Sequence, residues 1–277
     1  MHILGKDAGL QRLKARELLG GFVACLKACP DTNRLFTLPA AMRKWMVVVI
    51  CLLPQLLMSQ EKPTACSTGI DSVTAVRVVH EISLNARHPA AEWQLADAIP
   101  FCSDWQGKNR DPSRQTQVRL LWTPEILYLR FECRYRELFV FEDSDANGRR
   151  DQLWDRDVAE MFLQPDPSRP RYYREFEVSP NGMWVDLDIF PEGRRDLRSG
   201  LQRSAWLDRE HHLWAAELAI PMLALTSKFD PATEWRVNFF RVESAREPRF
   251  YSAWRATNTP QPNFHVPEAF GRLRFSR

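Results

Sequence analysis

The stretch that most constrains this chain is Trp154-Asp155-Arg156-Asp157-Val158-Ala159-Glu160-Met161-Phe162-Leu163. After a proline-broken turn comes Tyr172-Tyr173-Arg174-Glu175-Phe176-Glu177-Val178. Both halves alternate in period two, the pattern of strands with one apolar face. Ala159, Met161 and Leu163, with Phe176 and Val178, are then predicted to face a core. Glu160, Phe162, Tyr173, Glu175 and Glu177 share the opposite face. Carboxylates among aromatics make a poor core, because a buried charge needs a partner. They make a good platform for a ligand rich in hydroxyls.

Short strands and turns follow one another from Val73 onward. Thr116–Trp122 and Ile126–Cys133 read as a hairpin turning at Thr123-Pro124-Glu125. Leu127, Leu129, Phe131 and Cys133 fall on one face of it, and Tyr128, Arg130 and Glu132 on the other. Met183–Phe190 alternates again, with Val185, Leu187 and Ile189 predicted inward. Leu201–Leu207 pairs with Leu213–Ile220, and Pro221–Leu225 adds one helical turn. Trp235–Val242 and Arg272–Phe275 complete the set. Ten tryptophans, sixteen phenylalanines and nineteen prolines, against few helical patterns, point the same way. The expected fold is all-β: a two-sheet antiparallel β-sandwich or jelly roll, forming one domain over residues 61–277.

Upstream the character changes. Residues 1–41 carry little beyond a weakly amphipathic Leu10–Leu26, and Cys25-x3-Cys29 lacks the second pair a zinc site needs. Met42-Arg43-Lys44 then leads into an apolar run from Trp45 to Met58, with a polar exit at Ser59-Gln60-Glu61. That is the layout of a secretory signal peptide over residues 42–60. The run falls short of the ~20 residues a membrane span needs. Translation is therefore expected to start at Met42, residues 1–41 being a mis-assigned start or a disordered leader. The mature protein is expected to be secreted or periplasmic, free of the membrane once the signal is cleaved; an uncleaved anchor is the alternative. Export leaves Cys66, Cys102 and Cys133, enough for one disulfide. Cys102 with Cys133 is the pair to test, unless Cys133 is a small core residue.

Several functions find no support. A net charge of +3, spread over 38 basic and 35 acidic residues without a long Lys/Arg run, gives no sign of a nucleic-acid partner. Asp157 and Glu160 are carboxylates of the kind glycosidases use, which hold two of them ~5–10 Å apart across a cleft. Three residues apart on one strand, they point to opposite faces. His211, His212 and His265 have no nucleophile or metal-ligand partner at useful spacing, so no catalysis is expected. Met161, Met183 and His265 are residue types that ligate haem, but their spacing selects none of them. Asp143-Ser144-Asp145-Ala146-Asn147-Gly148 matches the first half of an EF-hand loop, yet its twelfth position is Trp154 rather than glutamate. Asp143, Asp145 and Asn147 are thus either oxygen ligands for a structural calcium ion or an ordinary acidic turn.

Three blocks, taken in order, resemble the family 9 carbohydrate-binding modules, and more closely the secreted family-9-like proteins. The first is Thr116-x-Val118 through Leu127-Tyr128-Leu129. The second is Trp154 through Phe162, then Tyr173-x-Glu175-Phe176-x-Val178-Ser179-Pro180-x-Gly182. The third is Tyr251-Ser252-Ala253-Trp254, then Phe264-His265-x-Pro267-x-x-Phe270-Gly271-x-Leu273. The resemblance implies a sandwich with a surface slot for sugar, in which two tryptophans clamp the ring and polar residues hold hydroxyls at a chain end. Trp154 and Trp254 match the clamp, with Tyr251 beside it, and Glu160 matches the hydroxyl-binding glutamate. Glu177 stands where the characterised modules have arginine, which reverses hydrogen-bond polarity there. An indole is equally at home in a core, and Glu160 and Glu177 could instead pair with Arg130, Arg174 or Arg241. The family match implies non-catalytic binding of saccharide ends or short oligosaccharides, in association with polysaccharide breakdown. The alternatives are a structural or partner-binding domain whose slot has decayed, or a haem-binding sandwich.

Overall fold

The structure is a computed structural model that describes Cys66 and residues 69–276, except Ala146. The expected leader and signal peptide, with Cys25 and Cys29, lie outside the described residues. The strands are β1 (Ser72–Arg77), β2 (Ile99–Phe101), β3 (Thr116–Trp122), β4 (Ile126–Arg134), β5 (Val158–Gln164), β6 (Tyr173–Val178) and β7 (Trp184–Phe190). They continue as β8 (Gly193–Asp196), β9 (Gln202–Asp208), β10 (Leu213–Pro221), β11 (Trp235–Glu243), β12 (Phe250–Ala253) and β13 (Gly271–Phe275). Met222–Leu225 is one turn of α-helix, where Pro221 ends the preceding strand. No helix among the described residues is long and apolar enough to cross a membrane.

The strands form one continuous path, β8-β7-β6-β5-β11-β13-β1-β3-β4-β10-β9, with β12 beside β11 and β2 beside β3. The all-β expectation holds. The expectation of two separate antiparallel sheets is corrected, because β1 runs parallel to both of its neighbours, β13 and β3. Parallel neighbours need long connections, and here the chain runs from Arg77 to Thr116 before it reaches β3 and on to Gly271 before it reaches β13.

The path curls so that its two halves share one core. Leu120, Leu129, Phe131, Trp214 and Leu218 come from one half, and Met161, Leu163, Phe176 and Phe239 from the other. Phe131 and Phe239 meet edge-on, with ring centroids 6.4 Å apart. Burying each such side chain contributes about 1.5–3 kcal/mol before entropy is counted. Ala159, Met161 and Leu163 face this core as their alternation predicts. At one end Arg241 is fully buried between Asp157, 3.4 Å away, and Glu243, 3.6 Å away.

The opposite face of β5, β6, β7 and β11 carries a second apolar cluster that includes Phe162, Tyr173, Val185, Leu187, Ile189 and Phe240. Val185, Leu187 and Ile189 were expected inward, and the register corrects this. Val185 stands opposite Glu177, and Ile189 opposite Tyr173, so all three share the platform face. Asp186 takes the core-facing place, where its Oδ2 accepts the Ser199 amide at 2.7 Å.

The disulfide joins Cys66 to Cys102, with Cα atoms 5.6 Å apart. The Cys102–Cys133 pairing is therefore wrong. Cys133 lies on the core face of β4, opposite Thr116, and is a free buried thiol. Burial pushes that thiol up to about 12, outweighing the pull of the Arg241 charge.

Candidate functional site

A groove runs over the platform face. Its central compartment encloses about 220 Å³, and Trp154, Glu160, Phe162, Glu175, Tyr251 and Phe264 line it with Arg194, Arg249 and His265. A compartment of about 510 Å³ adjoins it and shares Arg194 and His265. Another of about 510 Å³ lies on the other side and shares Arg249 and Tyr251.

Local structure explains the walls. A 3-10 turn at Leu153–Asp155 buries Leu153 completely and leaves Trp154 half-exposed at the rim. Arg249 Nη2 donates to the Trp154 carbonyl and tethers that turn. The Arg194 guanidinium lies against the Trp154 ring, 4.5 Å from its centroid. The floor is an aromatic layer. Phe264 stacks on Phe240 at 4.2 Å, Phe240 meets Phe162 edge-on at 4.9 Å, and Phe162 stacks on Tyr173 at 5.5 Å. The Tyr173 hydroxyl is 2.6 Å from His265 Nδ1. The platform is thus partly roofed by residues 262–270 rather than open throughout.

Three carboxyls are set into this floor. Glu160 and Glu177 are direct cross-strand partners, and Glu175 is opposite Phe162, one diagonal step away. All three are buried. Glu160 Oε1 receives no hydrogen bond from the protein, and Glu175 Oε2 and the Glu177 oxygens have no partner beyond the contact those two carboxyls make with each other. Burial first, and then the Glu175 charge, raise Glu160 well above the usual carboxylate range, against the opposing pull of Arg249 and Arg241. Burial and the charges of Glu160 and Glu175 do the same to Glu177, against Arg194. Neither glutamate pairs with the arginines weighed from the sequence. Arg130 is bound to Glu217 and Glu132, Arg174 to Asp188, and Arg241 to Asp157 and Glu243.

Trp154, Glu160 and Tyr251 therefore meet at one cavity, with Glu177 beneath it. Trp254 does not join them. It is 7% exposed and packs in the core, its ring 5.6 Å from that of Phe239 and directly over Gly271. Tyr251 and Ala253 face the platform side of β12, so the residue at 254 falls on the core side. The aromatic groups that share the cavity with Trp154 are Phe162, Tyr251, Phe264 and His265.

Sequence reasoning missed Arg194 and Arg249, which sit in a short exposed strand and a loop with no pattern to mark them. It quoted Phe264 and His265 within a motif but gave them no role.

The EF-hand-like loop is held by its own contacts. Asp145 Oδ1 already accepts the amides of Asn147 and Arg149, each at 2.8 Å, and Asp143 faces Arg150. Among the described residues no three His, Cys, Asp or Glu side chains converge to hold a metal. Met161 faces the core, while Met183 and His265 are on the platform side, so no set of haem ligands assembles.

No protein-family model matches the chain. A protein from Arthroderma benhamiae named as extracellular is 26% identical over 182 residues, 60% of this chain and 81% of its own. A solved structure from Bacteroides uniformis, a protein inferred to bind carbohydrate, superposes with a TM-score of 0.58 at 16% identity, covering 74% of this chain and 99% of that one. A family 9 carbohydrate-binding module from Caldicellulosiruptor kristjanssonii, solved with cellotriose, gives 0.51 at 15% identity, covering 74% and 93%. At these identities the likeness shows the fold: this chain has the fold of the family 9 carbohydrate-binding modules.

Proposed function

We propose, from that fold and the groove built on it, that the protein binds carbohydrate without transforming it, taking a saccharide end in the central compartment. The observation that carries this reading is the set of buried, unpaired carboxyl oxygens beside a rim indole. Buried polar atoms need partners, and a sugar supplies hydroxyl donors in a row. The carboxyls of Glu160 and Glu175, which line the compartment, accept from hydroxyls, and Arg194 and Arg249 offer donors to ring and hydroxyl oxygens. The half-exposed Trp154 ring takes the apolar C–H face of the pyranose. A cavity of about 220 Å³ is below the ~300–1,000 Å³ that holds drug-sized ligands, and it suits one ring. A compartment adjoins it on either side, one past Arg194 and His265 and one past Arg249 and Tyr251, and each leaves room for the chain to continue.

Binding rather than hydrolysis follows from the floor. Glu160 and Glu175 approach a bound ring from the same side, whereas glycosidases flank the scissile bond with their two carboxyls. The name of the Arthroderma benhamiae relative favours an extracellular setting, in line with export of this chain; a part in polysaccharide use follows from the carbohydrate reading alone. Calorimetric titration with glucose, cellobiose and longer oligosaccharides tests the reading, with Trp154→Ala as control. Saturable heat lost in the variant is expected. No heat with any sugar would leave a structural domain on the same fold.

A further inference from the structure

The compartment beyond Arg249 and Tyr251 has a chemistry of its own. It encloses about 510 Å³, and Arg110, Arg114, Arg136 and Arg249 line it together with Asp104 and Asp111. Four guanidiniums thus face two carboxylates, and both carboxylates are engaged. Asp104 Oδ1 accepts the amides of Gln106 and Lys108, and its Oδ2 accepts the Asn109 side chain at 2.7 Å. Asp111 Oδ2 accepts Arg114 Nε at 2.6 Å, and its Oδ1 accepts Arg136 Nη2 at 2.9 Å. Glu243, behind Arg114 at 4.0 Å, is also shared with Arg241. Glu247, beside Arg249, accepts the Tyr251 hydroxyl at 2.8 Å and the Arg249 amide at 2.9 Å, so the positive charge facing solvent is that of Arg110 and Arg136. Arg110 is exposed, and so is the Arg136 side chain, at 58%.

The walls suit a sugar as well as a charge. Trp105 is half-buried, and its indole N–H donates to the Thr259 carbonyl at 2.9 Å. It meets Tyr251 edge-on at 6.3 Å. Arg249 is fixed between the two compartments, since its Nε donates to the Ser244 carbonyl at 3.1 Å while Nη2 holds the Trp154 carbonyl. Guanidinium groups bind carboxylate and sulfate through paired N–H donors, and they lose less hydration than an ammonium does. One compact basic compartment with an aromatic wall, in a chain of net charge +3, is not the extended basic face that nucleic acid requires.

We infer that the saccharide is acidic: the sugar next to the one held by Trp154 carries a carboxylate or sulfate, which the compartment of Arg110, Arg114, Arg136 and Arg249 receives. This rests on the central compartment being a sugar site, and it names the class of sugar.

The test is titration of the full chain with cellobiose, with the matched disaccharide carrying glucuronate, and with its sulfated counterpart. Each is run at low salt and at about 0.5 M NaCl. The acidic ligands are expected to bind about tenfold or more tightly than cellobiose at low salt. Added salt should erode most of that gain, because the arginines are solvent-facing. Arg136→Gln and Arg110→Gln are each expected to remove much of the gain and to leave cellobiose affinity within about twofold. The glucuronate and sulfate arms tell which oxyanion is preferred. Equal affinity for neutral and acidic disaccharides overturns the inference and leaves the sugar slot intact. Acidic binding untouched by Trp154→Ala, with no cellobiose binding, overturns the slot and keeps the anion compartment. Binding of none of the three overturns both.

Discussion

Glu160 and Glu177 stand directly opposite each other on β5 and β6, both buried and both on the platform face. Burial favours the uncharged form of both, with the Glu175 charge adding to it at Glu160 and the Glu160 and Glu175 charges adding to it at Glu177, so each holds its proton above the ordinary value of 4.5. A carboxyl whose folded-state value is raised contributes stability that is fully present below about 4.5. That contribution is lost as pH rises through the folded value. Glu177→Gln is neutral at every pH and removes one partner. Its stability should match the parent near pH 4 and exceed it at pH 8 by ~1–3 kcal/mol, the cost of an unpaired buried group. Urea unfolding at the two pH values measures this. A gap that does not change with pH rejects it.

The two tryptophans should separate by phenotype. Trp154 is half-exposed, and its replacement by alanine should cut saccharide affinity about tenfold or more with a small change in melting temperature. Trp254 is 7% exposed in the core, and Trp254→Ala should cost ~3–5 kcal/mol of stability. Affinity per folded molecule should hold. Thermal melts and titrations on both variants decide it; a selective binding defect in Trp254→Ala counts against the assignment.

Gly271 is where backbone passes under an indole. A Cβ there would lie 2.5 Å from Trp254 Cη2 and 2.9 Å from the Asp71 carbonyl oxygen. Gly271→Ala is expected to destabilise by ~1–3 kcal/mol through overpacking. Trp254→Leu in that background should recover part of the loss, because it clears the ring but not the carbonyl. Additive losses in the double variant would exclude this contact as the cause.

The cysteines give a chemical test. Cys66 and Cys102, 36 residues apart, should appear as one linked peptide in non-reducing digests. Replacing either by serine should cost about 3–4 kcal/mol by the loop-closure argument. Cys133, buried and with its thiol pushed up to about 12, should resist alkylation until the protein is unfolded. Rapid labelling of the native protein would contradict its placement.

Much of this was legible in the alternation. Period two put Met161 and Leu163 in the core and Glu160, Phe162 and Tyr173 together on the other side, as the structure has them. The same rule argues against one of the resemblance's own pairings. Tyr251 and Trp254 differ by three, so an extended strand cannot show both to one ligand. Val185, Leu187 and Ile189 were misjudged because alternation says which residues share a face, never which face is the core. Only the register with Tyr173 and Glu177 settles that. Asp186, fully buried on the core side, is the polar exception that hid the answer. The arginines of the groove were out of reach, since Arg194 and Arg249 meet at one cavity from segments 55 residues apart with no periodic signal.

The parallel seam has a consequence for biosynthesis. Ser72 is held in register with Arg272, and Ala75 with Phe275. Until β13 has been made, β1 has an open edge on that side, and the curl cannot be closed. Completion of the fold therefore waits for β13, and a nascent chain stalled before it would present a sticky strand border to its neighbours.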